Sequence, residues 1–286
     1  MLKELFDSVV RVPQVEQAID AITQSPGASG IKTSALGYDP WGLSPEEAKR
    51  YYSLAYYIYR YFRPVIHNID RIPEGRVLVV GNHSGQLPLD GLVVAVACLL
   101  EAKPPRLVRA MVERWFPTLP WIGSTFVRSG AVLGDPINCR NLLEADNAIL
   151  VFPEGARGSG KTWDHRYRLV RFGRGFMRLA LQTGAPIVPV AVIGGEESII
   201  SLYNVEPLAR LLNTPYAPIS PWLPFAGPLA YLPLPVRFHV YFGEPLRFSG
   251  PFDDEDEAIE AKVKVVTDRI QTMIQDGLAR RESIFD

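Results

Sequence analysis

The feature that most constrains this chain is a short apolar run that empties into a glycine-rich loop. Ala148-Ile149-Leu150-Val151-Phe152 reads as a buried strand, and Pro153-Glu154-Gly155-Ala156-Arg157-Gly158-Ser159-Gly160-Lys161-Thr162 follows without a gap. From Gly155 onward the loop fits the phosphate-loop pattern G-x-x-x-x-G-K-[ST], which opens a nucleotide-binding reading through Gly155–Thr162. That reading needs a helix directly after Thr162, with its N-terminal amides facing the phosphates. Residues 163–173, Trp-Asp-His-Arg-Tyr-Arg-Leu-Val-Arg-Phe-Gly, carry no clean helical apolar stripe. It also needs a later strand ending in a magnesium-binding Asp. Ile187–Ile193 ends instead in Gly194-Gly195-Glu196-Glu197, where Glu196 is a poor substitute. The plainest alternative is a solvated loop after a strand.

The remaining pattern sets the fold class. From residue 76 to about 245 strand-like runs alternate with helical ones, which predicts an α/β domain with a mixed sheet flanked by helices. Upstream, Leu2, Leu5, Phe6, Val9 and Val10 among charges suggest an amphipathic helix over 1–23, broken near Pro13. Residues 24–40 are rich in Gly, Ser and Pro and read as a linker. Ser44-Pro45-Glu46-Glu47 predicts a helix start, with Ser44 as N-cap, Pro45 at the first helical position and Glu47 completing a capping box. The helix that follows is crowded with Tyr and Arg. The expected organisation is an N-terminal helical appendage over 1–70, interfacial in character, and an α/β domain over 71–286. A last helix over about 254–282 places Ile259, Val263, Val266, Ile270 and Ile274 at helical spacing.

Four blocks, taken in order, carry a family resemblance. Gly81-Asn82-His83-Ser84-Gly85-Gln86-Leu87-Pro88-Leu89-Asp90 follows the apolar run Arg76–Val80. Gly123-Ser124-Thr125-Phe126-Val127-Arg128 comes second, Phe152-Pro153-Glu154-Gly155-Ala156-Arg157-Gly158 third, and Ile187-Val188-Pro189-Val190-Ala191 fourth. Together they resemble the glycerophospholipid acyltransferase superfamily, over about residues 76–196. The Asn-His-Ser-Gly-x-Leu-Pro form of the first block is similar to that of certain bacterial members, as are Tyr38–Gly42 and Phe242–Pro245. Arg128 comes one position early, Ala156 stands where the family usually has Thr, and Gly158 where it usually has Ser.

Acyl transfer to a hydroxyl needs a base that removes a proton while a thioester carbonyl is attacked, and histidine titrates in the right range. His83 and Asp90 are the candidate catalytic pair, the acid fixing the tautomer of the imidazole. Six residues separate them, against four in the common family spacing; in a continuous helix seven positions span ~10 Å, so a bend at Gly85 and Pro88 is required. The resemblance implies that Glu154 binds the acceptor's hydroxyls, that Gly155 adds backbone donors, and that Arg128 and Arg157 hold an acceptor phosphate by fork contacts. It thereby implies a lysophosphatidate-like acceptor, with a neutral mono- or diacylglycerol as the alternative. A catalytically silent lipid-binding module is a third reading, should Asp90 not reach His83.

Composition bounds the partners. The net charge of −1 over 286 residues argues against nucleic acid. Two cysteines and four scattered histidines give no metal spacing, and no cofactor is implied beyond an acyl-CoA or acyl carrier thioester as co-substrate. Residues 157–178 hold seven Lys/Arg against one acid, Asp164, a potential patch for anionic headgroups or for the phosphates of coenzyme A. No secretory signal or spanning segment is evident: the Gly91–Leu100 run is about half the ~20 residues required, and Leu211–Val236, though uncharged, is broken by prolines. The expected location is therefore the cytoplasmic face of a membrane, held peripherally, with the bilayer surface as a partner.

Overall fold

The computed structural model describes residues 11–25, 30–113, 122–212 and 214–286. Its opening elements are α1 (Pro13–Thr23), α2 (Pro45–Phe62), β1 (Val65–His67), β2 (Val77–Gly81), α3 (Leu89–Leu100), β3 (Val108–Val112), α4 (Ile122–Arg128) and β4 (Val132–Leu133). Then follow α5 (Pro136–Glu144), β5 (Ala148–Val151), α6 (Ala156–Ser159), α7 (Gly175–Thr183), β6 (Ile187–Ile193) and α8 (Gly195–Ser198). The chain finishes with β7 (Tyr203–Asn204), α9 (Glu206–Leu212), β8 (Pro218–Ile219), α10 (Leu223–Ala226), β9 (His239–Phe242) and α11 (Asp256–Arg280).

Seven of the described strands form one sheet in the order β1-β9-β6-β2-β5-β3-β4. Every pairing is parallel except β6 with β9, so the sheet is mixed, as the strand–helix alternation predicts. Its central strands are apolar at every position because helices cover both faces. Val77 and Val79 join the core formed with α1, α2 and α3. Leu78 and Val80 join the opposite core, formed with α5, α7 and α11. Helix α3 is apolar around its circumference and is accordingly buried, Val93 through Leu99 without interruption. Helix α11 buries the one stripe its periodicity announces, from Ile259 to Ile274.

The N-terminal region differs from the expected appendage. Pro13 opens α1 rather than breaking a helix, since its missing N–H costs nothing at a first helical position; residues 1–10 of that expected helix lie outside the described residues. Val15, Ile19 and Ile22 of α1 and Tyr52, Tyr59 and Phe62 of α2 are buried in the same core as α3. β1, inside the span 1–70, is a strand of the main sheet. Three of the seven aromatics of α2 are therefore core residues, and Tyr51 and Tyr56 pack against that core: the rings of Phe62 and Phe238 lie 4.6 Å apart, and the Tyr59 hydroxyl meets the Glu101 carboxylate. Ser44 does cap α2 by position, but its side chain makes no cap bond, and its N–H goes to the Arg128 carbonyl at 3.0 Å.

Within the expected linker, the stretch around Asp39 is clamped to the sheet. Asp39 Oδ1 accepts the N–H groups of Trp41 and Leu43, both at 2.8 Å, and Oδ2 takes Arg109 Nη1 of β3 at 2.6 Å. Arg109 also donates Nε to the Gly130 carbonyl and lies over the Trp41 ring. Both charges are buried. Removing one partner of such a pair strands the other ion, at a cost of about 3–5 kcal/mol. Asp39→Ala should lower the urea midpoint by a corresponding amount with an unchanged m-value; a midpoint within error of the parent would show that the pair is dispensable.

Candidate active site

β2, β5 and β6 are adjacent and parallel, so the loops that leave their carboxyl ends converge at one edge of the sheet. The β2 loop begins with Asn82, whose buried amide accepts from Val192 N at 2.7 Å and donates to Val192 O at 2.9 Å. It thus extends the β2–β6 ladder by one side chain. Gly85 then turns with φ +77°, and a Cβ there would stand 2.7 Å from the Gly195 carbonyl oxygen, so the turn is closed to other residues. The folded loop returns the chain to α3, and the six intervening residues become a bend.

The result is a His83–Asp90 pair with Nδ1 and Oδ2 2.7 Å apart. Asp90 is wholly buried and also accepts the N–H groups of Ser84 and Gly91, each at 2.7 Å. A carboxylate can only accept, so the hydrogen bond to Asp90 assigns the proton to Nδ1. Nε2 is left as the basic nitrogen of a ring that lines a cavity and stacks on Phe152 at 4.6 Å. Burial alone would lower the His83 pKa, but the charge and hydrogen bond of Asp90, assisted by Glu154 and opposed by Lys161, outweigh it and raise the value above 6.5.

Glu154 does not line the cavity. Its buried carboxylate holds three partners behind it: His83 N at 2.8 Å on Oε1, and Val170 N at 2.8 Å with Lys161 Nζ at 3.4 Å on Oε2. The Gly155 N–H is spent on the Phe152 carbonyl, and the next amide, of Ala156, donates to Glu113 Oε1 at 2.8 Å. Gly158 is a packing requirement, because a Cβ there would meet Glu154 Cβ at 2.5 Å and His83 Cβ at 2.9 Å. The family's usual Ser would not fit this loop as it stands. Arg128, at the end of α4, and Arg157, on α6, are both exposed and do not belong to the cavity wall.

The phosphate-loop alternative loses its geometry here. The helical turn α6 precedes Lys161 instead of following it, and a three-residue 3₁₀ turn, Trp163–His165, comes after. Lys161 is buried among carboxylates. Four of the seven basic residues of 157–178, Lys161 among them, are also paired with acids. Arg171 pairs with Glu260, and Arg174 and Arg178 pair with Asp256, all on the first turns of α11. Those acids lie some eighty positions downstream, where no local charge count finds them.

The cavity has a volume of about 400 Å³ and is mainly apolar. His83, Phe152 and Glu113 line one part of it. Elsewhere it runs between Tyr51, Tyr52 and Ala55 of α2, Leu92 and Ala95 of α3, and Val108 and Ala110 of β3. Tyr216 borders it from the proline-rich segment and donates its hydroxyl to the Gln86 carbonyl at 2.8 Å. Sequence reasoning passed over Glu113, whose readable signal was an acid just past the carboxyl end of a parallel strand; Tyr216 lies in the aromatic, proline-rich run 215–235, whose composition suits an apolar wall beside the site.

Two measurements check this geometry. The His83 imidazole, followed by NMR, should titrate above 6.5, and Asp90→Asn should move it downward, because the carboxylate charge is what favours the protonated ring; an unmoved value would dissociate the two residues. Gly158→Ser should cost about 1–3 kcal/mol of stability, the usual penalty of overpacking. A Ser variant as stable as the parent would contradict the close approach.

Comparison with known proteins places this geometry in a lineage. The acyltransferase family model matches residues 63–193. An uncharacterized protein of Mycobacterium tuberculosis is 38% identical over 240 residues, covering 81% of this chain and 66% of that one, so the chain spans about two thirds of the length of such relatives. The chicken protein named DGAT1/2-independent enzyme synthesizing storage lipids is 25% identical, covering 73% of this chain and 59% of its own. The crystal structure of the 1-acyl-sn-glycerophosphate acyltransferase PlsC from Thermotoga maritima superposes with a TM-score of 0.52 at 16% identity, covering 81% of this chain and 82% of that one; the likeness is one of fold. The family model spans all four sequence blocks, with the first and third in the loops that leave β2 and β5, and this chain carries that acyltransferase domain over residues 63–193.

Proposed function

We propose that the protein transfers a fatty acyl group from a thioester, acyl-CoA or an acyl carrier, to a hydroxyl of a glycerolipid. The observation that carries this reading is the 2.7 Å His83–Asp90 pair beside an apolar cavity of about 400 Å³, a base next to a space suited to an acyl chain. His83 Nε2 takes the proton of the acceptor hydroxyl as its oxygen attacks the thioester carbonyl. Asp90 stabilises the imidazolium, and the C–S bond then breaks, the thiolate leaving with the proton from His83. An acyl-cysteine intermediate has no support: Cys98 and Cys139 are buried, and burial pushes their thiols up to about 12 and about 11.

An uncharged acceptor, a mono- or diacylglycerol, suits this site better than a phosphate-bearing one. Glu113 presents a carboxylate at the cavity wall, on the amide of Ala156 that a phosphate would otherwise engage, and the chicken relative is named for storage lipids. A lysophosphatidate-like acceptor remains the second reading, favoured by the exposed Arg157, whose neighbours Ala156 and Ser159 line the cavity. Lipid analysis after incubation with acyl-CoA and both acceptors distinguishes them. Diacylglycerol should be the better substrate, His83→Ala should lose about 10²–10⁴-fold in rate with its fold intact, and Glu113→Gln should raise the relative use of lysophosphatidate. A folded His83→Ala variant with near-normal turnover would overturn the mechanism.

The same reading places the protein on a membrane surface, on the cytoplasmic face. No described helix is long and apolar enough to cross one. Leu54, Tyr57 and Tyr61 of α2 are exposed, as are Trp222, Phe225, Leu229 and Leu232 of the uncharged segment, and the Tyr61 hydroxyl bonds the Pro233 carbonyl between the two groups. With three arginines of the basic run paired to α11, the exposed apolar side chains are the stronger support for docking. Vesicle sedimentation should therefore show binding that depends little on anionic lipid and falls for Trp222→Ser/Phe225→Ser; binding that is lost in moderate salt would instead indicate an electrostatic surface.

A further inference from the structure

Lys161 has no part in the chemistry described so far, yet it is among the most confined charges of the molecule. Its side chain is 4% exposed. Nζ lies 2.8 Å from Glu196 Oε1, 3.4 Å from Glu154 Oε2 and 3.3 Å from the Arg168 carbonyl. One ammonium therefore faces two buried carboxylates. Each carboxylate in turn anchors backbone: Glu154 holds His83 and Val170, and Glu196 holds Tyr167.

Two carboxylates confined together without a counterion cannot both stay ionised; one takes up a proton. Burial and the charge of Glu154 already press the Glu196 pKa upward, with Lys161 opposing. Without Lys161 the two acids would lose their common partner, which disturbs the 2.8 Å bond from His83 N to Glu154 and with it the placement of the imidazole against Asp90. We propose that Lys161 is a positioning residue: its ammonium, 2.8 Å from Glu196 and 3.4 Å from Glu154, holds the two carboxylates together, and Glu154 holds the His83 backbone in register with Asp90. The cluster gathers from three loops, after β2, β5 and β6, so it also ties the three strand ends together. The inference rests on His83 acting as the base.

The test assays acyl transfer from acyl-CoA to diacylglycerol by the full chain, with parent and His83→Ala in parallel. Lys161→Met should reduce kcat by about tenfold or more while KM for acyl-CoA changes little, since the cavity wall is untouched. Lys161→Met/Glu196→Gln restores the cluster's net charge and keeps Glu154 as the sole acid. It should recover a large part of the lost kcat, although the lysine's packing is still missing. Lys161→Met/Glu154→Gln carries the same net charge but lacks the carboxylate that holds His83, and should stay impaired. Near-parent kcat in Lys161→Met, or equal kcat in the two folded double variants, would overturn the proposal. The comparison of the double variants decides it even if Lys161→Met alone does not fold. An inactive parent, or an active His83→Ala, would instead refute the reading of the site on which it rests.

Discussion

The carboxylate of Glu154 is the joint on which this end of the molecule turns. It lies out of reach of water, so its charge must be met from inside, by two backbone N–H groups and an ammonium. Those three partners belong to separate stretches of chain: the loop after β2, the strand-like run near 170, and the loop end at Lys161. Meeting them forces the segment 155–170 to wrap tightly around the acid. That wrapping makes Gly158 obligatory, because the Cβ atoms of Glu154 and His83 occupy the space a larger residue would need. A run that reads as a phosphate cradle is thus a packing solution around a buried acid.

Sheet topology does the rest of the positioning. Parallel β2, β5 and β6 deliver their carboxyl ends to one edge, and the Asn82 amide locks the first loop to β6 through both its hydrogen bonds. The loop can then bend sharply enough to set His83 against Asp90 at the head of α3. His83 lines the cavity, while its tautomer is governed from behind by an acid that water cannot reach. The same economy shapes charge around the site. Arginines that looked available are consumed by Asp256 and Glu260, and the remaining carboxylate at the wall, Glu113, caps α6. The polarity this leaves is the physical basis for reading the acceptor as uncharged.

The elements of the α/β domain were legible because their signals are local. β2, β5 and β6 are short runs of apolar residues, α11 carries a stripe at helical spacing, and Asp135-Pro136 opens α5 with the expected cap, Asp135 accepting from Ile137 N at 2.9 Å. The order of the four blocks, too, was enough to name the superfamily and to single out His83, Asp90 and Glu154. Where local signal misled, the cause was a distant partner. Tyr52 and Tyr59 of α2 looked interfacial along with the exposed Tyr57 and Tyr61, because residue type cannot say which face meets α1, α3 and the sheet. The basic run looked like an anion patch because its acids lie on a helix far along the chain. Asp39 looked like linker because Arg109 is seventy residues away.

The sequence by itself therefore determined the central strands, the long helices and the family, and it singled out His83 and Asp90 as candidates, all of which rest on residue type and short-range spacing. Tertiary structure alone decided what those residues face. It brought His83 within 2.7 Å of Asp90 across six residues, turned Glu154 away from the cavity, buried Lys161 between two acids and left Arg128 and Arg157 outside the wall. The reason is physical: the burial and pairing of a charge depend on what the rest of the chain brings to it. At this site those partners come from strand ends and helices that are adjacent in space and remote in sequence.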